Sequence, residues 1–364
     1  MSTIVTAADA AQFLSLVPKL LGYTPTQSLV LVPMTGGRSI GAMRVDLPPH
    51  DADTDGVASS VIGMVCRIPD ADAFVAVVYT TASARRELPG YDLVVALERS
   101  ADACGLGITD ALTVAGDGWG SHFDAALPAR ARPLSELQIR TPPPDGDQAS
   151  GTALDDIDEA VVVSVSVAMA SLESALALLC GIPTMAEPVG RLDPAALEAA
   201  CALDDLPALY ELALEWDAAA LDPMHTAVLA WCLQRSSLRD VAIVQWSSNR
   251  RGGDAALDAQ RRWEDGEEYP ADLASVMWGE GDRPDPQRLE RALELVRAVA
   301  ARLPEEHRAG PLATAGWLSW ALGRSTHADR YAVAAQDIDR RHGLAEIVRS
   351  FVGVTHLPDW AFRP

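Results

Sequence analysis

The stretch SLVLVPMTGGRSIGAMRVDL, residues 28–47, decides how the first part of the chain folds. Ser28 to Pro33 is a run of Leu and Val with the composition of a buried strand. Met34-Thr35-Gly36-Gly37 reads as a turn, because glycine accepts the positive φ that a tight reversal requires. Ser39 to Leu47 returns as a second strand, and the pair is predicted to form a hairpin. Arg44 and Asp46 lie two residues apart on it, so both face the same side of a sheet.

Before this hairpin, Ala7 to Leu21 is amphipathic at helical spacing, with Phe13, Leu14, Val17 and Leu21 on one side. Thr6 is a candidate cap, and Gly22 and Pro25 end the helix and turn the chain. After the hairpin come a helix over Asp55–Cys66, a strand over Ala73–Thr80 and a helix over Tyr91–Cys104. A strand over Ile108–Ala115, a turn at Gly116-Asp117-Gly118 and a strand over Trp119–Phe123 follow. The order α-β-β-α-β-α-β-β implies an α/β domain over 1–140, a mixed sheet of about five strands covered by helices.

Residues 141–153, TPPPDGDQASGTA, read as a Pro-rich linker, because consecutive prolines continue neither helix nor strand. From 154 to 364 helical periodicity takes over. Helices are expected over 168–180, 194–202, 206–219, 223–235, 238–247, 271–279, 286–302, 311–323, 327–340 and 343–353. Val161 to Val167 alternate partly with serines and fit either a strand or the start of a buried helix. Arg250-Arg251-Gly252-Gly253 reads as a loop. Ala230-Trp231-Cys232-Leu233-Gln234-Arg235-Ser236-Ser237 is echoed by Ser319-Trp320-Ala321-Leu322-Gly323-Arg324-Ser325-Thr326. With Ala335 twelve residues beyond Gly323, this half is read as an all-α domain of stacked, tetratricopeptide-like helical hairpins. Most of the nine tryptophans fall in it, as hairpin packing residues.

The net charge is −22 and unevenly spread. Residues 153–225 hold 14 acidic side chains against one basic residue, Arg191. Phosphate backbones and anionic membranes demand the reverse, clustered Lys and Arg, so neither nucleic acid nor a membrane surface is an expected ligand. A one-signed acidic surface instead suits a basic protein partner, although acidic helices also simply aid solubility. Ala160 to Cys180 approaches the length of a membrane span, but Glu173, four serines and the following Pro183 argue against one. The opening MSTIVTAADAAQ has no basic and no apolar region of a secretory signal, so a cytoplasmic location is expected.

The five cysteines are scattered without any CxxC pair and read as buried free thiols rather than as a zinc site or disulfide framework. The seven histidines are isolated, with no HExxH and no i, i+4 pair, so no metal and no cofactor is expected. Gly116-Asp117-Gly118-Trp119-Gly120-Ser121 lacks the Gly-Lys-Ser/Thr ending of a phosphate loop and reads as a hairpin turn. No Gly-x-Ser-x-Gly elbow occurs, and adjacent acids such as Asp155-Asp156 diverge by about 100° on a helix, too far for paired acid–base work.

Leu16-Val17-Pro18-Lys19-Leu20-Leu21-Gly22-Tyr23-Thr24-Pro25-Thr26-Gln27-Ser28-Leu29-Val30 resembles the opening signature of a bacterial family known as domain of unknown function 4192, found mainly in high-GC Gram-positive bacteria. Arg44-Val45-Asp46-Leu47-Pro48, the Trp-bearing stretch Pro311 to Gly323 and the final Leu357-Pro358 resemble it too. Many members carry an acid where this chain has Gln27, and cysteines where it has Ser121-His122-Phe123-Asp124. The resemblance implies no reaction, substrate or cofactor.

The best candidate site is the loop from Gly22 to Ser28 with the strand face carrying Arg44 and Asp46. Tyr23 would stack on a ligand and Ser28 would hydrogen-bond it, where a helix end meets a strand start. The competing reading is a structural loop and a surface ion pair. No motif in the sequence marks a catalytic residue. The expectation is a non-enzymatic adaptor or regulatory protein-binding module. The alternative is an enzyme or small-ligand-binding protein centred on Gly22, Tyr23, Ser28, Arg44 and Asp46. A deep pocket there, with Arg44 turned inward, would favour the alternative; a filled core there, with a groove among the helices, would favour the adaptor.

Overall fold

A computed structural model describes residues 9–49, 51–124, 131–137, 144–181 and 193–363. The chain divides into two compact units, Met1–Ser150 and Gly151–Pro364. The expected Thr6 cap lies outside the described residues, as do residues 141–143 of the expected linker.

The first unit is an α/β sheet unit. Its elements are α1 (Ala10–Leu21), β1 (Ser28–Thr35), β2 (Arg38–Ser39), β3 (Met43–Asp46), α2 (Thr54–Cys66), β4 (Ala73–Tyr79), α3 (Tyr91–Cys104), β5 (Gly107–Val114) and β6 (Trp119–Ser121). The strand expected over Ser39–Leu47 is two strands, β2 and β3, which brings the expected mixed sheet of about five strands to six. The hairpin itself forms: Thr35 pairs with Arg38 across Gly36 and Gly37, both at positive φ.

The strand order is β2-β1-β4-β5-β6, with β3 also paired to β1. Among the described residues only β4 and β5 run parallel, joined through the crossover helix α3. Alternation along the strands separates two faces. Val30, Val32, Val75, Val77 and Leu112 pack with Leu14 and Val17 of α1 on one side. Leu29, Leu31, Phe74, Ala76 and Val78 are buried on the other. There α3 packs on β5 and α2 beside α3. A Cβ on Gly90, just before α3, would meet a Val78 methyl at 3.2 Å, which explains a glycine at that approach.

Residues 144–150 are tied back onto the candidate-site loop. Thr24 N–H donates to Gly146 O at 3.1 Å, and the Gln148 side chain both accepts from Thr26 N–H and donates to Thr26 O.

The second unit contains α4 (Glu159–Leu179), α5 (Pro194–Ala202), α6 (Leu206–Ala213), α7 (Pro223–Leu233), α8 (Ser236–Ser247), α9 (Arg250–Glu264), α10 (Ala271–Val276), α11 (Pro286–Arg302), α12 (Ala309–Ala321), α13 (Ser325–Ile338) and α14 (Gly343–Gly353). Val161 to Val167 are helical, as the first half of α4, whose Asp158 side chain caps its start. By length and composition α4 is apolar enough to cross a membrane, with 33% of its most apolar window buried. Arg250 to Gly253 are not a loop but the first turn of α9. Asn249 caps it by accepting from Gly252 N–H, and Gly253 allows the Gln245 side chain to lie against the helix backbone. The two echoed segments both fall at helix–helix junctions, α7–α8 and α12–α13.

One continuous core joins these helices, and Trp320 sits within it. Its ring touches Trp317, Phe351 and Trp360, and its indole N–H donates to His356 O at 2.8 Å. Trp320→Ala is expected to lower the unfolding free energy by about 3–5 kcal/mol, because a cavity of indole size cannot collapse among packed helices. Urea denaturation followed by circular dichroism measures it.

Candidate functional site

The structure brings four of the five sequence-derived site residues together. Ser28 opens β1 and is fully buried, with Asp46 as its register partner on β3, while Arg44 pairs with Val30. Direct partners share a face, so Ser28, Arg44 and Asp46 all lie on the α1 side of the sheet. Arg44 Nε donates to Ser28 Oγ at 2.6 Å, and Ser28 Oγ donates to Thr26 O at 2.7 Å. Arg44 Nη2 meets Asp46 Oδ1 at 2.5 Å. The Arg44 side chain is only 7% exposed and its acid partner 78%. Tyr23 completes the group: burial pushes its phenol up, the Arg44 charge works against that and Asp46 adds to it. Gly22 is different. Its left-handed φ of 82° closes α1, its N–H donating to Pro18 O, which is a capping role.

This arrangement is chemically occupied. The Ser28 hydroxyl both donates and accepts within the protein, and the group holding its proton is a carbonyl, not a base. A nucleophilic serine needs a base in that position. Gln27, at a φ of 44°, does related work: its Oε1 accepts from Thr81 N–H at 2.8 Å and its carbonyl from Leu47 N–H. A carboxylate at this position could accept the same bond, so the departure from the family pattern at Gln27 preserves an acceptor.

One signal escaped the sequence reading. Asp46, Ser28, Tyr79, Val114 and Trp119 form a single register row across five strands. Within it the Tyr79 hydroxyl and the Trp119 indole N–H are buried and, among the described residues, without a hydrogen-bond partner. Burial pushes the Tyr79 phenol far above its usual range. Nothing in the period-2 pattern marks such atoms, because they look like ordinary core aromatics until the register is known.

The glycine-rich segment after β5 is a turn, as expected. Ala115 N–H donates to Gly118 O at 2.8 Å, and Asp117 accepts from Ser83 Oγ and Ala84 N–H, which hold its carboxyl below the usual range. His122 lies 2.8 Å from Thr113 Oγ1 and burial lowers its pKa. Among the described residues no cluster of three or more His, Cys, Asp or Glu could hold a metal. The cysteines correct the expectation of burial: Cys232 is buried, but Cys66, Cys104, Cys180 and Cys201 are exposed.

The second unit holds a cavity of about 610 Å³ between the connection leaving α6 and one side of α11. Asp155, Trp216, Asp217, Arg291, Glu294 and Arg297 line it. A smaller one of about 170 Å³ shares Leu214, Glu215 and Arg291 with it and adds Glu211, Asp285 and Arg288, so the two form one groove. Trp216 stacks on His225 with ring centroids 3.8 Å apart. Arg302 Nη2 reaches Ala219 O at 2.7 Å and Arg297 Nη2 reaches Ala153 O at 2.8 Å, fixing the walls to α11. Arg288 grips Glu211 with two bonds of 2.7 and 2.6 Å, and Gln245 adds a third at 3.0 Å.

Together the units make a protein of mixed-sheet and helical architecture. Its family follows from comparison with known sequences: residues 11–355 match the profile described as Domain of unknown function (DUF4192), and the chain belongs to that family. No curated protein and no solved structure gives a match.

Two measurements test these geometries. Ser28→Ala removes the acceptor of a buried guanidinium Nε, so a stability loss of about 1–3 kcal/mol is expected by urea denaturation. Glu211 is held below its usual value chiefly by its bonds with Arg288, then by Gln245. A depressed carboxyl contributes stability that is full above its unfolded value and is lost as pH falls through its folded one. The stability advantage of wild type over Glu211→Gln is therefore expected at neutral pH, and it should shrink as acid protonates the carboxylate.

Proposed function

We propose that the chain is a cytoplasmic, non-catalytic protein-binding module whose helical unit seats a basic segment of a partner protein. The observation that carries this reading is the groove along α11. Among the described residues six carboxylates line it, those of Asp155, Glu211, Glu215, Asp217, Asp285 and Glu294, against three guanidiniums. One of the three, Arg288, is already committed to Glu211. Four of the carboxylates come from the acidic 153–225 segment, so part of its charge excess lies in one cleft. An acid-lined cleft attracts Lys and Arg side chains, and Trp216 offers an aromatic surface beside them. The Ser28–Arg44–Asp46 cluster, internally satisfied, supports the same choice.

A second reading, a small-ligand or enzyme site on the α1 face of the sheet, is favoured by the inward-turned Arg44 and by the buried, unpartnered Tyr79 hydroxyl and Trp119 indole N–H. A ligand there would present hydrogen-bond acceptors, since the indole N–H only donates.

Selection from a random peptide display library tests the first reading. Binders rich in Lys and Arg are expected, and the triple variant Glu215→Gln, Asp217→Asn, Glu294→Gln should weaken them by about tenfold or more, with a steep salt dependence. Binders without basic enrichment, or indifferent to the triple variant, would sink it.

A further inference from the structure

Helices α2 and α3 each lead into a strand that starts at the same end of the sheet. The strands that follow them, β4 and β5, are parallel neighbours starting in register, Ala73 opposite Gly107. The loops feeding these strands are joined by a hydrogen bond of 3.0 Å from Gly107 N–H to Asp72 O. Helices α2 and α3 also pack on each other, and both run toward these loops. The last residues of the two helices are Cys66 and Cys104. Both are free and exposed, and their thiols lie close enough to interact with each other.

We propose that Cys66 and Cys104 are a redox-modification site, closing to an intramolecular disulfide when the protein meets a peroxide and reopening with a thiol reductant. One thiolate attacks a peroxide oxygen, the O–O bond breaks, and that sulfur becomes a sulfenic acid as water leaves. The second thiolate attacks the sulfenic sulfur, the S–S bond forms, and a second water leaves. Two electrons pass from the sulfurs to the peroxide, and both thiol protons end in water. Topology supplies what scattered cysteines ordinarily lack, a partner held in place before oxidation begins. Solvent exposure supplies access for the oxidant. Burial, and then the neighbouring Cys104, push the Cys66 thiol up, so closure is expected to quicken as pH rises. The crosslink would staple the ends of two helices and close the loop that contains β4, restricting the unfolded chain.

The test uses the full chain, folded and reduced, exposed to a slight excess of hydrogen peroxide. Remaining thiols are alkylated, and the protein is digested without reduction for peptide mapping by mass spectrometry. The expected result is a Cys66 peptide joined to a Cys104 peptide, released by dithiothreitol. Cys66→Ser and Cys104→Ser should each abolish the link, whereas Cys201→Ser should retain it; circular dichroism checks that every variant is folded. Recovery of both cysteines as alkylated thiols, their joining to other cysteines instead, or a link that forms only in urea would overturn the proposal.

Discussion

Helix α11 must serve two environments at once, and the helical unit depends on that constraint. Leu289, Ala292, Leu293, Val296 and Val299 are buried against α7, α8 and α12. That burial supplies the hydrophobic term that orders the surrounding helices. With one face fixed inward, the remaining positions have no freedom of direction. Arg288, Arg291, Glu294 and Arg297 recur every three residues and therefore line the opposite wall. The groove exists because Arg302, itself buried at the end of α11, bonds Ala219 and holds the connection after α6 in place. A loop so anchored holds Trp216 and Asp217 with little conformational freedom.

In the sheet unit the corresponding constraint falls on β1, which has β4 on one side and both β2 and β3 on the other. Its first residue, Ser28, is the point where loop, helix end and neighbouring strand converge. The buried Arg44 guanidinium needs acceptors there, because an unsatisfied charged donor in a core costs several kcal/mol. Ser28 and Asp46 meet that need. Ser28, Arg44 and Asp46 thus serve the fold, while the Tyr79 hydroxyl and the Trp119 indole N–H have no hydrogen-bond partner among the described residues. Those two lie along the same register row as Ser28, on strands reached only after the sheet has assembled.

Local chemistry was legible where a residue type has one conformational use. The Gly36-Gly37 turn, the Gly22 end of α1 and the strand β4 follow from backbone freedom and from side-chain alternation. Where local signals competed, one segment reads wrongly and another stays ambiguous. Arg250 to Gly253 looked like a loop because paired glycines are poor helix formers, yet the Asn249 cap and the packing of Ala256 and Ala259 outweigh them. Val161 to Val167 carry strand propensity, yet Asp158 caps a helix and the buried face of Val165, Ala168 and Leu172 selects helical spacing.

What the sequence by itself determined is the α/β-then-helical order, the family, and the concentration of acid in 153–225. Each is written in composition, in period or in contiguous motif, and none needs a distant residue. The tertiary structure alone decided that Asp155 and Glu215 face Arg291 and Glu294 across one cleft. It alone decided that Cys66 meets Cys104, and that Tyr79 stands in line with Trp119. Such pairings join residues tens of positions apart, and only the burial of their intervening helices and strands fixes which of them become neighbours.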